Sequence, residues 1–158
     1  MKKNISGQSL FEIILSLAIS ILIITSLVTL AANAVRNSTY SKNKTQATRY
    51  SQEATEWLRG QRDASWDNLY AKAGVNPPQV YCLKTLSWAG ATIGTGCTSG
   101  QVIPNMIFKR ELSFERRMVI VGAATKNIID ASVKVYWQDA QGVHEVRSAT
   151  SFSDWRER

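Results

Sequence analysis

The hydrophobic and polar positions divide the chain into one continuous apolar stretch and a longer part with mixed periodicity. Residues 13–32 are twenty positions without a charge, interrupted only by serine and threonine. An α-helix of about twenty apolar residues spans about 30 Å, the thickness of the hydrocarbon layer of a membrane. The pattern therefore predicts one transmembrane helix near the N-terminus.

Beyond the apolar stretch, helical periodicity continues at lower hydrophobicity. Apolar residues recur at spacings of three, four or seven, with charged residues between them, at Tyr40, Ala47, Ala54, Trp57 and Leu58. No proline interrupts the chain before Gly60, a residue type that commonly ends helices. We predict one long helix over residues 8–60 and expect a stripe of its second half, including Tyr40, to pack against a globular head.

Residues 61–158 have the pattern of a small head with strands. Asp63 to Gly74 predicts a short capped helix, and a loop is expected from Gly90 to Gly100. Alternating apolar and polar positions predict strands at residues 79–86, 108–121, 131–137 and 143–152, with a hairpin loop at residues 138–142. We therefore predict an α+β fold in which the long helix lies beside an antiparallel sheet, with Trp155 covering the sheet or the helix seam.

Length and charge narrow the function classes only slightly. The chain has 158 residues, which suits one modest globular domain, and a net charge of +7. Without the basic start at Lys2 and Lys3 the net charge is 7 − 2 = +5. The remaining basic residues are dispersed, so we interpret them as a solvated surface, with nucleic-acid binding as an alternative.

The polar residues give no constellation for catalysis. His144 is the sole histidine, expected on an exposed strand, and two cysteines with one histidine cannot supply a four-ligand zinc site. A charge run in the predicted third strand is interpreted as a solvated face with local ion pairs, and it comprises Arg110, Glu111, Glu115, Arg116 and Arg117. We expect no enzyme activity, no metal and no cofactor.

The charges at the N-terminus predict the orientation of the helix in the membrane. Lys2 and Lys3 precede the span, and the positive-inside tendency keeps that end in the cytoplasm and places the head outside. An extracytoplasmic compartment favours a disulfide between Cys82 and Cys97. Closing a loop of about sixteen residues would stabilise the fold by roughly 3 kcal/mol.

Two simpler interpretations of the apolar stretch compete with a specialised one. Residues 32–34, Ala-Asn-Ala, fit a signal-peptide cleavage site that would release a protein starting at Val35, but signal-peptide cores run only about 7–15 residues. A plain anchor explains the length but not Glu12, because a carboxylate at a bilayer centre costs roughly 2.5–3.5 kcal/mol, and less near the interface. Glu12 therefore suggests a partner that arrives later.

Residues 6–12, Ser-Gly-Gln-Ser-Leu-Phe-Glu, followed at once by the apolar stretch, resemble the processing site of type IV prepilins and pseudopilins. The resemblance implies that residues 1–7 are a leader, that a prepilin peptidase cuts after Gly7, and that the new amino terminus at Gln8 is methylated. It also implies that Glu12 meets the Gln8 amine of another subunit during assembly. A slip in register would leave both charges unpaired, at a cost of several kcal/mol.

Two further stretches resemble PilV-type minor pilins, namely residues 57–66 and residues 133–155. The resemblance implies a pilin-like fold and a structural role as a minor pilin. Its partners would be other pilin subunits, the prepilin peptidase and methyltransferase, and the pilus assembly platform. The expected location is the cytoplasmic membrane, followed by an extracellular pilus. A tip adhesin or a DNA receptor is the alternative within this family.

Overall fold

The structure is a computed structural model that describes residues 6–122 and 124–156. Two helices, α1 (Ser6–Ala64) and α2 (Trp66–Lys72), precede the sheet, and a 3-10 turn lies at Trp88–Gly90. The strands are β1 (Gln79–Leu83), β2 (Ala91–Ile93), β3 (Lys109–Val121), β4 (Ala124–Asp139) and β5 (Gly142–Ser153). They form one antiparallel sheet in the order β2-β1-β3-β4-β5. The predicted α+β fold, a long N-terminal helix packed on a small antiparallel sheet, is confirmed.

The chain divides after Asn43 into two compact units. In the first unit the large apolar side chains of α1 between Leu10 and Val35 are all exposed. By length and composition, α1 is long and apolar enough to cross a membrane once. Among the described residues of this unit, none therefore covers the apolar stretch and removes it from solvent.

The hydroxyl groups in this apolar stretch are satisfied by the helix itself. Each donates a hydrogen bond to a carbonyl three or four residues earlier, over 2.7–2.9 Å, at Ser16, Ser20, Thr25, Ser26 and Thr29. Hydroxyls that are paired in this way cost little in an apolar environment, where an unpaired polar group would cost several kcal/mol. The five polar residues are therefore compatible with a membrane span.

The second unit, Lys44–Arg158, contains the whole described core and is called the head below. One stripe of α1, formed by Ala47, Ala54 and Leu58, is fully buried. It belongs to one hydrophobic cluster with buried side chains of β3, β4 and β5, among them Phe114, Val133, Val135, Trp137 and Phe152. Because no residue between Leu10 and Gln46 contributes a buried side chain, the head has the core of an independently folding domain.

Several predicted boundaries were wrong. Gly60 does not end α1, which continues to Ala64, because a glycine inside a helix costs only about 1 kcal/mol relative to alanine. The next helix starts after Ser65, whose hydroxyl accepts a hydrogen bond from the Asn68 amide. Tyr40, expected on the packed stripe, lies in the first unit and is 39% exposed.

The loops also differ from the prediction in detail. The expected loop from Gly90 to Gly100 contains the short strand β2, and the last hairpin has only Ala140 and Gln141 between its paired ends. Trp155 was expected to cover the sheet or the helix seam, but its side chain is 62% exposed. Its indole nitrogen lies 3.3 Å from the carboxylate of Asp63, close to the C-terminal end of α1.

Candidate functional site

The residues of the predicted processing site lie at the start of α1. Gly7 and Gln8 belong to its first turn, and Glu12 follows one turn later, exposed to solvent. Positions 8 and 12 are four residues apart and therefore lie on the same face of the helix. Lys2, Lys3 and the other residues of the predicted leader before Ser6 lie outside the described residues, as do the side chains of residues 6–9.

The structure contains the predicted disulfide between Cys82 and Cys97. Cys82 lies in β1 and is buried, and Cys97 follows β2 in the loop that leads towards β3. The Cα atoms are 5.2 Å apart, and the bond joins positions separated by fifteen residues. It therefore closes the loop that carries the edge strand β2.

Replacing both cysteines by serine is expected to lower the free energy of unfolding of the head by about 3 kcal/mol, because the unfolded chain regains the entropy of the open loop. Urea denaturation of the Lys44–Arg158 fragment, oxidised and reduced, measures the change. The reduced unaltered fragment is the control and should show a similar loss. A loss below about 0.5 kcal/mol would contradict a stabilising role for this bond.

A buried carboxylate fixes the loop next to the disulfide. Glu111 of β3 accepts hydrogen bonds from the Cys97 amide over 2.9 Å and from the Tyr136 hydroxyl over 2.7 Å, and its other oxygen lies 2.5 Å from Nζ of Lys134. Burial raises the pKa of Glu111, but Lys134, Cys97 and Tyr136 together hold it below its usual value. The cluster therefore ties the loop to β3 and β4.

The pKa of Tyr136 is raised by burial and by its place in this cluster. Burial and the hydrogen bond to Glu111 raise the pKa of Tyr136 to about 12. Since the pKa is raised in the folded state, the neutral phenol contributes stability that is complete below pH 10 and is lost as the pH rises through about 12.

The measurement that checks this is an ultraviolet titration of tyrosinate in the folded head. We expect the phenol of Tyr136 to ionise about two pH units later than a free tyrosine. The Tyr136→Phe variant should lose this contribution and keep that of Tyr81, whose pKa is also raised by burial. Glu111→Gln should move the ionisation of Tyr136 to lower pH, because the neighbouring negative charge is removed. A late step of the same size in Tyr136→Phe would show that Tyr136 is not its source.

Arg110 is the second buried charge of β3, with 2% of its surface exposed. Its guanidinium donates hydrogen bonds to the carbonyl oxygens of Leu83 over 3.3 Å and Tyr50 over 3.4 Å. It also lies 3.7 Å from the carboxylate of Glu53 on α1. Burial lowers the pKa of Arg110, and Glu53 opposes this shift. Arg110 therefore joins α1, β1 and β3 through polar contacts inside the core.

The prediction that the charge run of β3 is a solvated face was wrong for Arg110 and Glu111, which are both buried. The sequence held a signal for Arg110, because it alternates with Phe108 and Leu112 on the core-facing side of the strand. The rest of the run fits the prediction better. Arg117 pairs with Asp130, and Arg116 lies 5.2 Å from the ring centre of Tyr70.

His144 supports a hairpin in the described structure. It was expected on an exposed strand, but it is only partly exposed. Its Nε2 atom lies 2.9 Å from the carboxylate of Asp139, and its ring packs 5.2 Å from that of Trp137. Both partners belong to β4, so the imidazole holds the two strands together beside their turn. Among the described residues no group of three or more histidine, cysteine, aspartate or glutamate side chains could hold a metal ion.

Comparisons with protein-family models, with curated proteins and with solved structures found no match. Two features of the chain itself remain as indications of its function. One is the order of Gly7, Gln8 and Glu12 before an exposed apolar helix, and the other is the head with its disulfide.

Proposed function

We propose that the chain is a type IV pilin-like structural subunit, of the minor pilin kind, that is held in the membrane by α1 and then packed into a filament by the same helix. The observation that carries the proposal is Glu12, an exposed carboxylate four residues after Gln8 at the start of the apolar stretch. A carboxylate at this position has a cost for insertion and no use in a simple anchor.

The proposed processing creates the charge that Glu12 needs. A prepilin peptidase removes residues 1–7 on the cytoplasmic face and leaves an amine on Gln8, which a methyltransferase then modifies. The Gln8 amine of one subunit pairs with Glu12 of its neighbour when the apolar helices lie side by side. In such a dry bundle an unpaired charge costs several kcal/mol, so the pair fixes the axial register of the subunits.

The surface of α1 suits a transfer from lipid to protein. Its large apolar side chains are exposed along the stretch, so the same surface can contact lipid first and neighbouring subunits later. Its hydroxyls are already bonded to carbonyls of their own helix. These hydroxyls therefore lose no hydrogen bond when the helix leaves the lipid. Van der Waals packing between the helices provides the favourable free energy of association.

The head is proposed to lie outside the cytoplasm. The Cys82–Cys97 bond supports this, because disulfides persist in oxidising compartments. The dispersed positive charge supports a DNA receptor less well, since Arg116 and Arg117 both have partners within the head. The structural role in a filament is therefore the function we favour over ligand binding.

Cell fractionation tests the proposed function. A chain carrying a C-terminal epitope is expected in the membrane fraction and also in the filaments sheared from the cell surface. A mutant cell without the assembly platform should keep the chain in the membrane but lose it from the sheared fraction. Recovery only as soluble protein in the medium, independent of the platform, would contradict the proposal.

A further inference from the structure

Strand β5 forms an open edge of the sheet. It pairs with β4 on one side and is the last strand in the order, so none of the described strands lies on its other side. The register is continuous from Ile128 opposite Ser153 to Asp139 opposite Gly142. The edge therefore has neither a bulge nor a proline, two devices that commonly block pairing with another chain.

The register shows which backbone groups of β5 point outward. Asp139 and Gly142 flank a two-residue turn, and such a turn closes on a hydrogen-bonded pair. Hydrogen-bonded and non-hydrogen-bonded pairs alternate along an antiparallel ladder. The even-numbered residues of β5 therefore bond to β4, and the odd-numbered ones, from Val143 to Ser153, direct their N–H and C=O groups to the open edge.

The side chains of β5 carry a charge pattern that complements itself. Besides His144, which contacts Asp139 of β4, its acidic and basic residues are Glu145 and Arg147. These two lie on the same face, and Nε of Arg147 donates to Glu145 over 2.8 Å. Both side chains are largely exposed, at 44% and 61%. These opposite charges lie one on each side of Val146. If a second copy of the strand runs antiparallel to the first, each charge faces the opposite charge of the other copy.

We propose that β5 pairs antiparallel with β5 of a second copy of this chain, with the two-fold axis at Val146. In this register Glu145 lies opposite the partner's Arg147, and Arg147 lies opposite the partner's Glu145. Odd-numbered residues face odd-numbered residues, so the outward N–H and C=O groups of both edges meet. Moving the axis to Glu145 or to Arg147 would put like charges directly opposite, which destabilises a strand pair.

The contact is closed and weak by its geometry. A two-fold pairing uses each β5 edge once, so it joins copies in pairs and does not extend into a chain of subunits. A single pair of strands buries less surface than a standard interface, and we expect a weak dimer with a dissociation constant on the order of 100 µM. The inference uses only the head and does not depend on the proposed role in a filament.

Sedimentation equilibrium of the Lys44–Arg158 fragment tests the pairing. The unaltered fragment should become increasingly dimeric as its concentration is raised to about 1 mM. Glu145→Arg or Arg147→Glu alone should weaken the dimer about tenfold or more, because each places two like-charge pairs across the axis. The double variant E145R/R147E exchanges the charges and should restore the affinity to within about threefold. Glu56→Arg on α1 changes the net charge as Glu145→Arg does and should have no effect.

A proline variant tests the backbone part of the contact separately. Ala149→Pro removes an N–H that points to the open edge and leaves the ladder with β4 in place, so the fragment should stay folded by circular dichroism and become monomeric. In the unaltered fragment, the amides of Glu145 and Arg147 should exchange hydrogen more slowly at high than at low protein concentration.

Three results would overturn the pairing. The first is an unaltered fragment that stays monomeric at about 1 mM, and the second is a dimer in which the edge amides exchange at the same rate at every concentration. The third is a dimer that the single charge reversals do not weaken or that E145R/R147E does not restore. If a single variant fails to fold, the pairing is tested by the exchange of the edge amides and by the affinity of the double variant.

Discussion

A Glu12→Ala variant is expected to enter the membrane at least as well as the unaltered chain and to be incorporated into filaments at a level reduced about tenfold or more. Removing the carboxylate removes an insertion cost, so membrane insertion does not suffer. In the filament, however, the amine on Gln8 of the neighbouring subunit would be left without its partner. An unpaired charge in a dry bundle costs several kcal/mol. A cost of about 1.4 kcal/mol already lowers the equilibrium constant for incorporation tenfold.

Immunoblots of the membrane and of the sheared filaments measure both effects in the same cells. Glu56→Ala is the matched control, because Glu56 is also an exposed glutamate of α1 but lies in the head, beyond the apolar stretch. It should reach filaments as the unaltered chain does. Equal incorporation of Glu12→Ala and the unaltered chain would show that Glu12 has no part in assembly.

A Gly7→Phe variant is expected to accumulate entirely as the uncleaved precursor in the membrane. The peptidase must bring the backbone at the cut bond close to its catalytic groups, and a glycine leaves room for that approach where a phenyl ring does not. Intact-mass measurement of the purified chain distinguishes the two forms, because the precursor is heavier by residues 1–7. The precursor should also be missing from sheared filaments.

Gly60→Phe is the matched control for this experiment. Gly60 lies in the same helix, and a side chain added there would have no atom within 4 Å of its Cβ. The variant should therefore be processed like the unaltered chain. Normal processing of Gly7→Phe would mean that cleavage does not depend on this glycine. Residues 1–7 would then not be a prepilin leader.

The elements that follow one repeating pattern were predictable from the sequence. Twenty uncharged residues indicate a helix of membrane length, and strict alternation from Ala131 to Trp137 indicates a strand with one buried face. The burial of Val133, Val135 and Trp137 in β4 agrees with that alternation. The disulfide followed from the number of cysteines together with the predicted compartment.

The details that depend on contacts distant in sequence were not predictable in the same way. Gly60 resembles a helix end, but α1 continues past it to Ala64, since one glycine inside a helix costs only about 1 kcal/mol, and the next cap is Ser65. Arg110 and Glu111 look like a surface pair, yet each is neutralised by partners from elsewhere in the chain, Glu53 on α1 and Lys134 on β4. The sequence pattern contains no information on such pairings until the register of the strands is known.

The open edge of β5 is another feature that the sequence alone does not predict. The alternation of its residues predicts a strand, but only the strand order shows that one side is unpaired. Likewise, only the register with β4 identifies Glu145 and Arg147 as residues whose backbone groups point to that edge. The symmetric placement of these two charges about Val146 suggests self-pairing only once the edge and the register are known.

The mass of the mature chain, purified from membranes and sheared filaments, tests the central assignment most directly. A chain that begins at Gln8 and carries one methyl group on its amine is the predicted result, with Glu12 five residues into the mature protein. A chain that begins at Val35, or that keeps Met1 to Gly7 while present in filaments, would contradict the account.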